Sequence, residues 1–135
     1  MNASDIPAVS VAVLQDGRFL LVQRGHAPSR GLYAFPGGRV RAGETAREAV
    51  QRELREETGL MLDEFKRFGE IIIPAENGRN YRLDVFCANR AHGVARPGDD
   101  ASRVGWYTID EMRALPITES TLMVAEKIAS GCTSM

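Results

Sequence analysis

The feature that most constrains this chain is a group of carboxylates placed on the apolar side of a helix. Between Thr45 and Gly59 the sequence reads Thr-Ala-Arg-Glu-Ala-Val-Gln-Arg-Glu-Leu-Arg-Glu-Glu-Thr-Gly. At about 100° per residue, Ala46, Ala49, Val50 and Glu57 fall within roughly 60° of Glu53, and Glu56 falls just beyond. The charged side chains therefore share a face with the apolar ones, while Glu48, Gln51 and Arg55 form an ordinary solvated side. Burying an unpaired carboxylate costs on the order of several kcal/mol, and a bound cation removes that cost. Glu53, Glu56 and Glu57, at i, i+3 and i+4, offer the oxygen ligands that a hard cation takes, with Mg²⁺ expected first and Mn²⁺ as its substitute. The competing reading is a solvated acidic helix with i, i+4 partners.

Both ends of the helix are marked. Thr45-Ala46-Arg47-Glu48 has the form of a capping box, which gives Glu48 a structural role, and Gly59 stands where a left-handed residue ends the last turn. Upstream, Gly37, Gly38 and Gly43 sit in a tight connection where backbone can approach a ligand with no Cβ in the way, although ordinary turn glycines account for any one of them equally well.

Gly38, five residues, Glu44, seven residues, Arg52-Glu53-Leu54, one residue, Glu56-Glu57, one residue, Gly59-Leu60: this pattern resembles the Nudix box of the MutT-like hydrolases, with every fixed position filled. The stretch Val11 to Arg24, followed by Gly31 to Gly38, is similar to the segment leading into the box in small family members, which commonly carry Trp where this chain has Tyr33. The resemblance implies an α/β fold, an α/β/α sandwich with a curved mixed β-sheet between helices. It also implies that Glu53, Glu56 and Glu57 ligate metal, with the Gly37 carbonyl as a further ligand, and that Glu44 and Arg52 orient the cluster as part of the catalytic set. Family members hydrolyse nucleoside diphosphates linked to another moiety, with water attacking phosphorus. Bound metal lowers the pKa of a coordinated water and neutralises charge on the leaving phosphate, while an acid accepts the proton. Which acid does so is left open.

At 135 residues the chain is expected to form one domain, 1–135, able to bury roughly two thirds of its unfolded surface. A net charge of −1 with interleaved signs gives no general attraction to nucleic acid polymers or anionic membranes. Cys87 and Cys132 are too few and too far apart for a disulfide framework or a CxxC metal site. With no apolar run of spanning length and no signal-like start, a cytoplasmic enzyme acting on a small nucleotide, as monomer or homodimer, is the expectation.

Ala8 to Leu14 and Phe19 to Gln23 read as strands joined at Gln15-Asp16-Gly17, and Phe65 to Pro74 and Tyr81 to Ala88 as a second hairpin about Ala75-Glu76-Asn77-Gly78. Leu83, Val85 and Cys87 share a face of the latter. Val104 to Ile109 reads as a strand, Asp110 to Leu115 and Thr121 to Ala129 as helices, and 130–135 as a frayed end.

Outside the box, Arg24 at a strand end and Arg30 in the loop from Gly25 to Tyr33 are candidates to meet a phosphate, with Gly38 as a third substrate-binding position. Arg24 is the better of the two arginines, because the corresponding position is often basic in similar small family members; a solvated surface arginine competes for each. His26 and His92 are isolated in sequence and read as surface or satisfied histidines. Pro74, 15 residues after Gly59, resembles the proline downstream of the box in ADP-ribose pyrophosphatases, or simply ends a strand. Asp99 and Asp100 occupy a region where similar enzymes bring an extra acid to the metals, or are turn residues. ADP-ribose or a related nucleotide sugar is the leading substrate class. A MutT-type (oxidised) nucleoside triphosphate pyrophosphohydrolase comes second, weakened because Leu115 to Ser120 lacks the asparagine that some such enzymes use to read guanine. A non-catalytic nucleotide-binding module comes third, and its usual mark, a broken glutamate cluster, is missing here.

Overall fold

The computed structural model describes residues 5–25, 30–98 and 101–135. In chain order the elements are β1 (Ile6–Gln15), β2 (Arg18–Arg24), β3 (Tyr33–Ala34), β4 (Gly37–Arg39), α1 (Ala46–Thr58), β5 (Lys66–Pro74), β6 (Asn80–Ala88), β7 (Ala101–Tyr107), α2 (Ile109–Arg113) and α3 (Glu119–Ala129), with a 3-10 turn at Glu76–Gly78. Among the described residues no helix is long and apolar enough to cross a membrane.

Strand β1 organises the sheet. One of its edges runs parallel to β6 from Ile6↔Tyr81 to Val13↔Ala88. The other edge is shared, with Ala8 to Ser10 pairing β4 and only Leu14 and Gln15 pairing β2. The β1–β2 hairpin turns through Asp16 and Gly17, both at positive φ (52° and 76°), a two-residue geometry that suits the right-handed twist of the strands. Beyond the hairpin β2 leaves β1 and pairs instead with β3 and β7, while β5 closes the far side against β6. One parallel pair among antiparallel ones makes an open, mixed sheet.

Alternation along the strands sends side chains into two cores. Val9, Val11, Val13, Leu20 and Phe86 pack with Ala49, Val50 and Leu54 of α1. On the opposite face Ala12, Phe19, Leu21 and Val85 pack with Met112 of α2 and Val124 and Ala125 of α3. The sheet thus lies between helices, as expected. Leu83 and Cys87 join Val85 on the α3 face, also as expected.

The α1 capping box forms as the sequence predicts, with Thr45 Oγ1 accepting from Glu48 N at 3.1 Å, Glu48 Oε1 accepting from Thr45 N at 2.9 Å, and Gly59 left-handed at φ 77°. Four details differ from expectation. Ile109 belongs to α2 rather than to the preceding strand, because Thr108 and Glu111 form a second capping box there. Helix α3 begins at Glu119, earlier than the apolar pattern indicates, and α2 ends at Arg113. Gln51 is not a solvated side chain: its amide donates to Leu62 O at 2.6 Å and accepts from Leu62 N at 3.2 Å. The 130–135 end is tied down, with Met135 N donating at 2.9 Å to the carbonyl of Phe68, where the β5–β6 register shifts between Arg67 and Gly69.

Leu54 is fully buried between α1 and the sheet. Leu54→Ala should therefore lower unfolding stability by about 2–5 kcal/mol. Exposed Arg55→Ala should change it by less than about 0.5 kcal/mol. Urea midpoints compared at constant m-value check both.

Candidate active site

Because β2 peels away from β1, the strand β4 fills the vacated edge and carries Gly37 and Gly38 alongside α1. Gly37 has no room for a side chain, since a Cβ there would lie 2.2 Å from Val9 O, and a Cβ on Gly38 would lie 2.6 Å from the Glu53 carboxyl carbon and turn that carboxyl aside. Gly37 N donates to both carboxyl oxygens of Glu57, at 3.2 and 3.3 Å. The expected close approach at these glycines is thus made, among the described residues, to strand β1 and to the glutamates.

Arg52 holds the other side of the cluster. Its guanidinium meets Glu44 in two-pronged fashion, Nε to Oε2 at 2.6 Å and Nη2 to Oε1 at 2.9 Å, and Nη2 also donates to Arg39 O at 2.9 Å. Nη1 pairs with Glu53 Oε1 and reaches Glu56 Oε2 at 3.5 Å. Glu44 in turn accepts from Arg41 N at 2.9 Å, which fixes the loop between β4 and α1. Hydrogen bonding from Arg52 holds the Glu44 carboxyl down at about 2, and the same contact pushes the Arg52 guanidinium above its ordinary value.

Glu53 and Glu57 face each other one helical turn apart. Glu57 is only 9% exposed, and burial, reinforced by the neighbouring Glu53 charge, pushes its carboxyl up to about 8 against the opposing pull of Gly37 N–H and Arg24. Burial also raises Glu53, with Arg52 opposing. Both carboxyls therefore hold protons more tightly than free ones, the behaviour of anions short of a compensating cation. Glu56 points outward, half exposed, at 3.5 Å from both Arg41 and Arg52. Among the described residues no three acidic or His/Cys side chains converge as a finished metal cluster. The donor set nonetheless fits a hard cation: it is all oxygen, burial disfavours the charge of two members by more than Arg52, Arg24 and Gly37 N–H offset, and the long exposed pairs of Glu56 cost little to exchange.

The glutamates open on a cleft of about 900 Å³. Arg24, Gly37, Gly38, Glu53 and Glu57 line one end. Register places the rest: Gly37 pairs Ser10 and Ser10 pairs Val85, while Tyr81 lies four residues back along β6, about 13 Å away at about 3.3 Å per residue. Leu83 and Ile71 make the apolar wall between, Ile73 stands level with Tyr81 and Pro74 just beyond it, and Thr118 to Ser120 with Met123 of α3 complete the lining. Arg39 stacks over the Tyr81 ring at 5.6 Å and donates to its hydroxyl at 3.2 Å.

Of the residues singled out from sequence, the structure gathers Glu44, Arg52, Glu53, Glu56, Glu57, Gly37, Gly38 and Arg24 about one end of the cleft. Arg30 is exposed and does not line it. His92 is a satisfied surface histidine, as expected, with its Nε2 2.6 Å from Asp63 Oδ2. Asp99, Asp100 and His26 lie outside the described residues. Sequence reasoning missed Arg39, Tyr81 and the α3 wall; the alternation of Tyr81 and Leu83 with Val85 was the available signal for the strand side.

Comparison with known proteins comes to the same place. The NUDIX domain family model matches residues 5–124. An ADP-ribose pyrophosphatase of Methanocaldococcus jannaschii is 35% identical over 112 residues, 81% of this chain and 66% of that protein. The CTP pyrophosphohydrolase of Escherichia coli is 29% identical over 90% of this chain and 89% of its own length. A MutT Nudix hydrolase structure from Burkholderia pseudomallei superposes with a TM-score of 0.84 at 30% identity, covering 92% of this chain and 98% of that one. The chain spans just under two thirds of the archaeal enzyme and a third or less of some longer relatives.

The Glu44 carboxyl yields an acid-side signature. Its folded value is depressed, so its contribution to stability is complete above the ordinary 4.5 and is lost as pH falls toward about 2. Glu44→Gln should lower the melting temperature at pH 7 and shrink the wild-type loss between pH 5 and 3. Thermal melts of both proteins across that range check this.

Proposed function

The chain belongs to the Nudix hydrolase family, and from that premise we propose that it is a metal-dependent hydrolase cleaving the diphosphate linkage of a nucleoside diphosphate derivative, with ADP-ribose or a related nucleotide sugar as favoured substrate. The observation that carries the reading is the polarity of the cleft. Two charge-deficient carboxyls and Arg24 stand at one end, and an apolar strand wall ending in Tyr81 runs away from them. A ligand with a diphosphate at one end and a flat or sugar-bearing group at the other suits that length and polarity. The archaeal relative's name supports the substrate class, as does Pro74, which lines the cleft at the end of β5.

In this reading Glu53, Glu56 and Glu57, with the Gly37 carbonyl, hold Mg²⁺, for which Mn²⁺ substitutes. The bound ion supplies an activated water and offsets charge on the leaving phosphate. Gly37 N–H and the Arg52 hub keep the Glu57 and Glu53 carboxyls in register. Arg24 brings positive charge to the substrate phosphates, Gly38 leaves the approach to Glu53 open, and a helix carboxylate accepts the proton of the attacking water. The triphosphate pyrophosphohydrolase reading is the second one, favoured by the near full-length match to the bacterial CTP enzyme. A purely binding role has less support, because the glutamate cluster is complete.

Two measurements test these assignments. Mg²⁺ or Mn²⁺ at a hundredfold its dissociation constant should add about 2.7 kcal/mol of stability to wild type. Glu57→Gln should lose most of that gain and at least ~100-fold in kcat, whereas Glu48→Gln, whose side chain only caps α1, should keep both. Full activity in chelator excludes the metal reading. For substrate, nucleotide sugars, dinucleotides and triphosphates are assayed with products resolved by chromatography. ADP-ribose should yield AMP and ribose 5-phosphate, and hydrolysis in ¹⁸O-water should label one of them. A kcat/KM for triphosphates 100-fold above every nucleotide sugar, worth about 2.7 kcal/mol, overturns the preference.

A further inference from the structure

Helix α1 ends in carbonyls that it cannot satisfy by itself. Gly59 N takes Arg55 O, but Glu57 O and Thr58 O are met from outside the helix, by the N–H groups of Gly98 and Arg96 at 2.9 Å each. These donors belong to segment 92–98. It is anchored beyond the helix by the reciprocal Met61 and His92 backbone bonds, 3.0 and 2.8 Å, and by the His92–Asp63 pair.

Within the segment, Gly98 lies flush on the helix. A Cβ there would stand 1.7 Å from Glu56 O and 3.2 Å from Glu57 Cα, so no side chain fits without displacing the 56–57 peptide. Gly93, in the same segment, differs: its φ of 113° penalises a substitution, and its Cβ would press only lightly, at 3.3 Å from Gly59 O and 3.4 Å from Leu60 Cδ2, without reaching Glu56 or Glu57. Ala101 N–H donates to Gly98 O at 3.3 Å, and Ala101 pairs with Arg24 in the β2–β7 register. These backbone hydrogen bonds tie the last turn of α1 to the strand pair carrying the cleft arginine.

We propose that Gly98 is a positioning residue of the hydrolytic site: its bare backbone registers the last turn of α1, and with it the Glu57 carboxyl, against the strands that carry Arg24. The inference rests on the reading of Glu57 as a metal ligand. Displacing the 56–57 peptide moves Glu57 off Gly37 N–H, and ligand geometry tolerates little such error. Nothing in this role calls for Gly98 itself to touch substrate or metal.

The test compares wild type, Gly98→Ala and Gly93→Ala by Mn²⁺ binding, read from the resonance of the free ion, by melting temperature, and by kcat and KM. Gly98→Ala should weaken Mn²⁺ binding at least ~fivefold and lower kcat at least ~tenfold with KM within ~twofold. Gly93→Ala should lower the melting temperature while leaving Mn²⁺ affinity within ~twofold, because its strain stays away from the glutamates. Wild type that binds neither Mn²⁺ nor Mg²⁺ overturns the functional reading and this inference with it. Wild-type binding with unaltered affinity in Gly98→Ala, or equal losses in both variants, overturns this inference alone. Should Gly98→Ala fail to fold, amide exchange of the wild type decides: Mg²⁺ alone should slow exchange at Gly98 and Arg96 by ~tenfold if site and segment are coupled, and unchanged exchange there contradicts the coupling.

Discussion

Two carboxyls, the buried Glu57 and the part-buried Glu53, are held face to face in a seam between β4 and α1 at one end of the cleft, and the surrounding architecture can be understood as what that placement requires. Isolated, such a pair repels itself and gives up a proton only reluctantly, as the upward displacement of both groups records. The fold does not relieve the conflict by separating them. It holds Glu57 on the Gly37 amide, pairs Glu53 with Arg52, and fixes Arg52 in turn on Glu44 and the Arg39 carbonyl. The Arg52 positive charge is already shared among several acceptors, so it leaves the glutamates short of compensation. An all-oxygen carboxylate pair oriented by a connected polar network is a donor set that suits a hard cation.

That seam exists because of how the sheet divides. Strand β2 accompanies β1 for only the hairpin residues, and the short β4 takes over the edge, bringing two glycines against the helix where a Cβ on one would collide with Val9 O and a Cβ on the other would displace the Glu53 carboxyl. The same division opens the cleft beside β6. Its length follows from strand register, and its polarity from the shift between the Gly37 row and the Tyr81 row. Local chain geometry thus sets both where charge is concentrated and how far an apolar portion of ligand can extend from it.

Much of this was legible in the sequence. Helix α1, its two caps and the conflict on its apolar face follow from period and cap chemistry alone, because each is local. The two hairpins follow from Asp16-Gly17 and Asn77-Gly78 for the same reason. What could not be read were features made by distant chain segments meeting. Strands β3 and β4 are too short to show a period, and Gln51 looks solvated until Leu62 is brought beside it. His92 looks solitary until the chain after α1 returns to it, and Arg39 becomes part of the cleft only through Tyr81, 42 positions away. Ile109 extends the apolar pattern of the strand before it, whereas the Thr108–Glu111 capping box decides for helix.

Anomalous scattering from crystals grown with Mn²⁺ decides whether the paired glutamates of α1 form a cation site. An ion is expected at coordination distance, about 2.1 Å for a Mg²⁺-like ion, from carboxyl oxygens of both Glu53 and Glu57, with Glu56 turned inward from Arg41. A fully occupied Mn²⁺ bound elsewhere, or Glu53 and Glu57 still facing each other with no ion between or beside them at saturating metal, would contradict it.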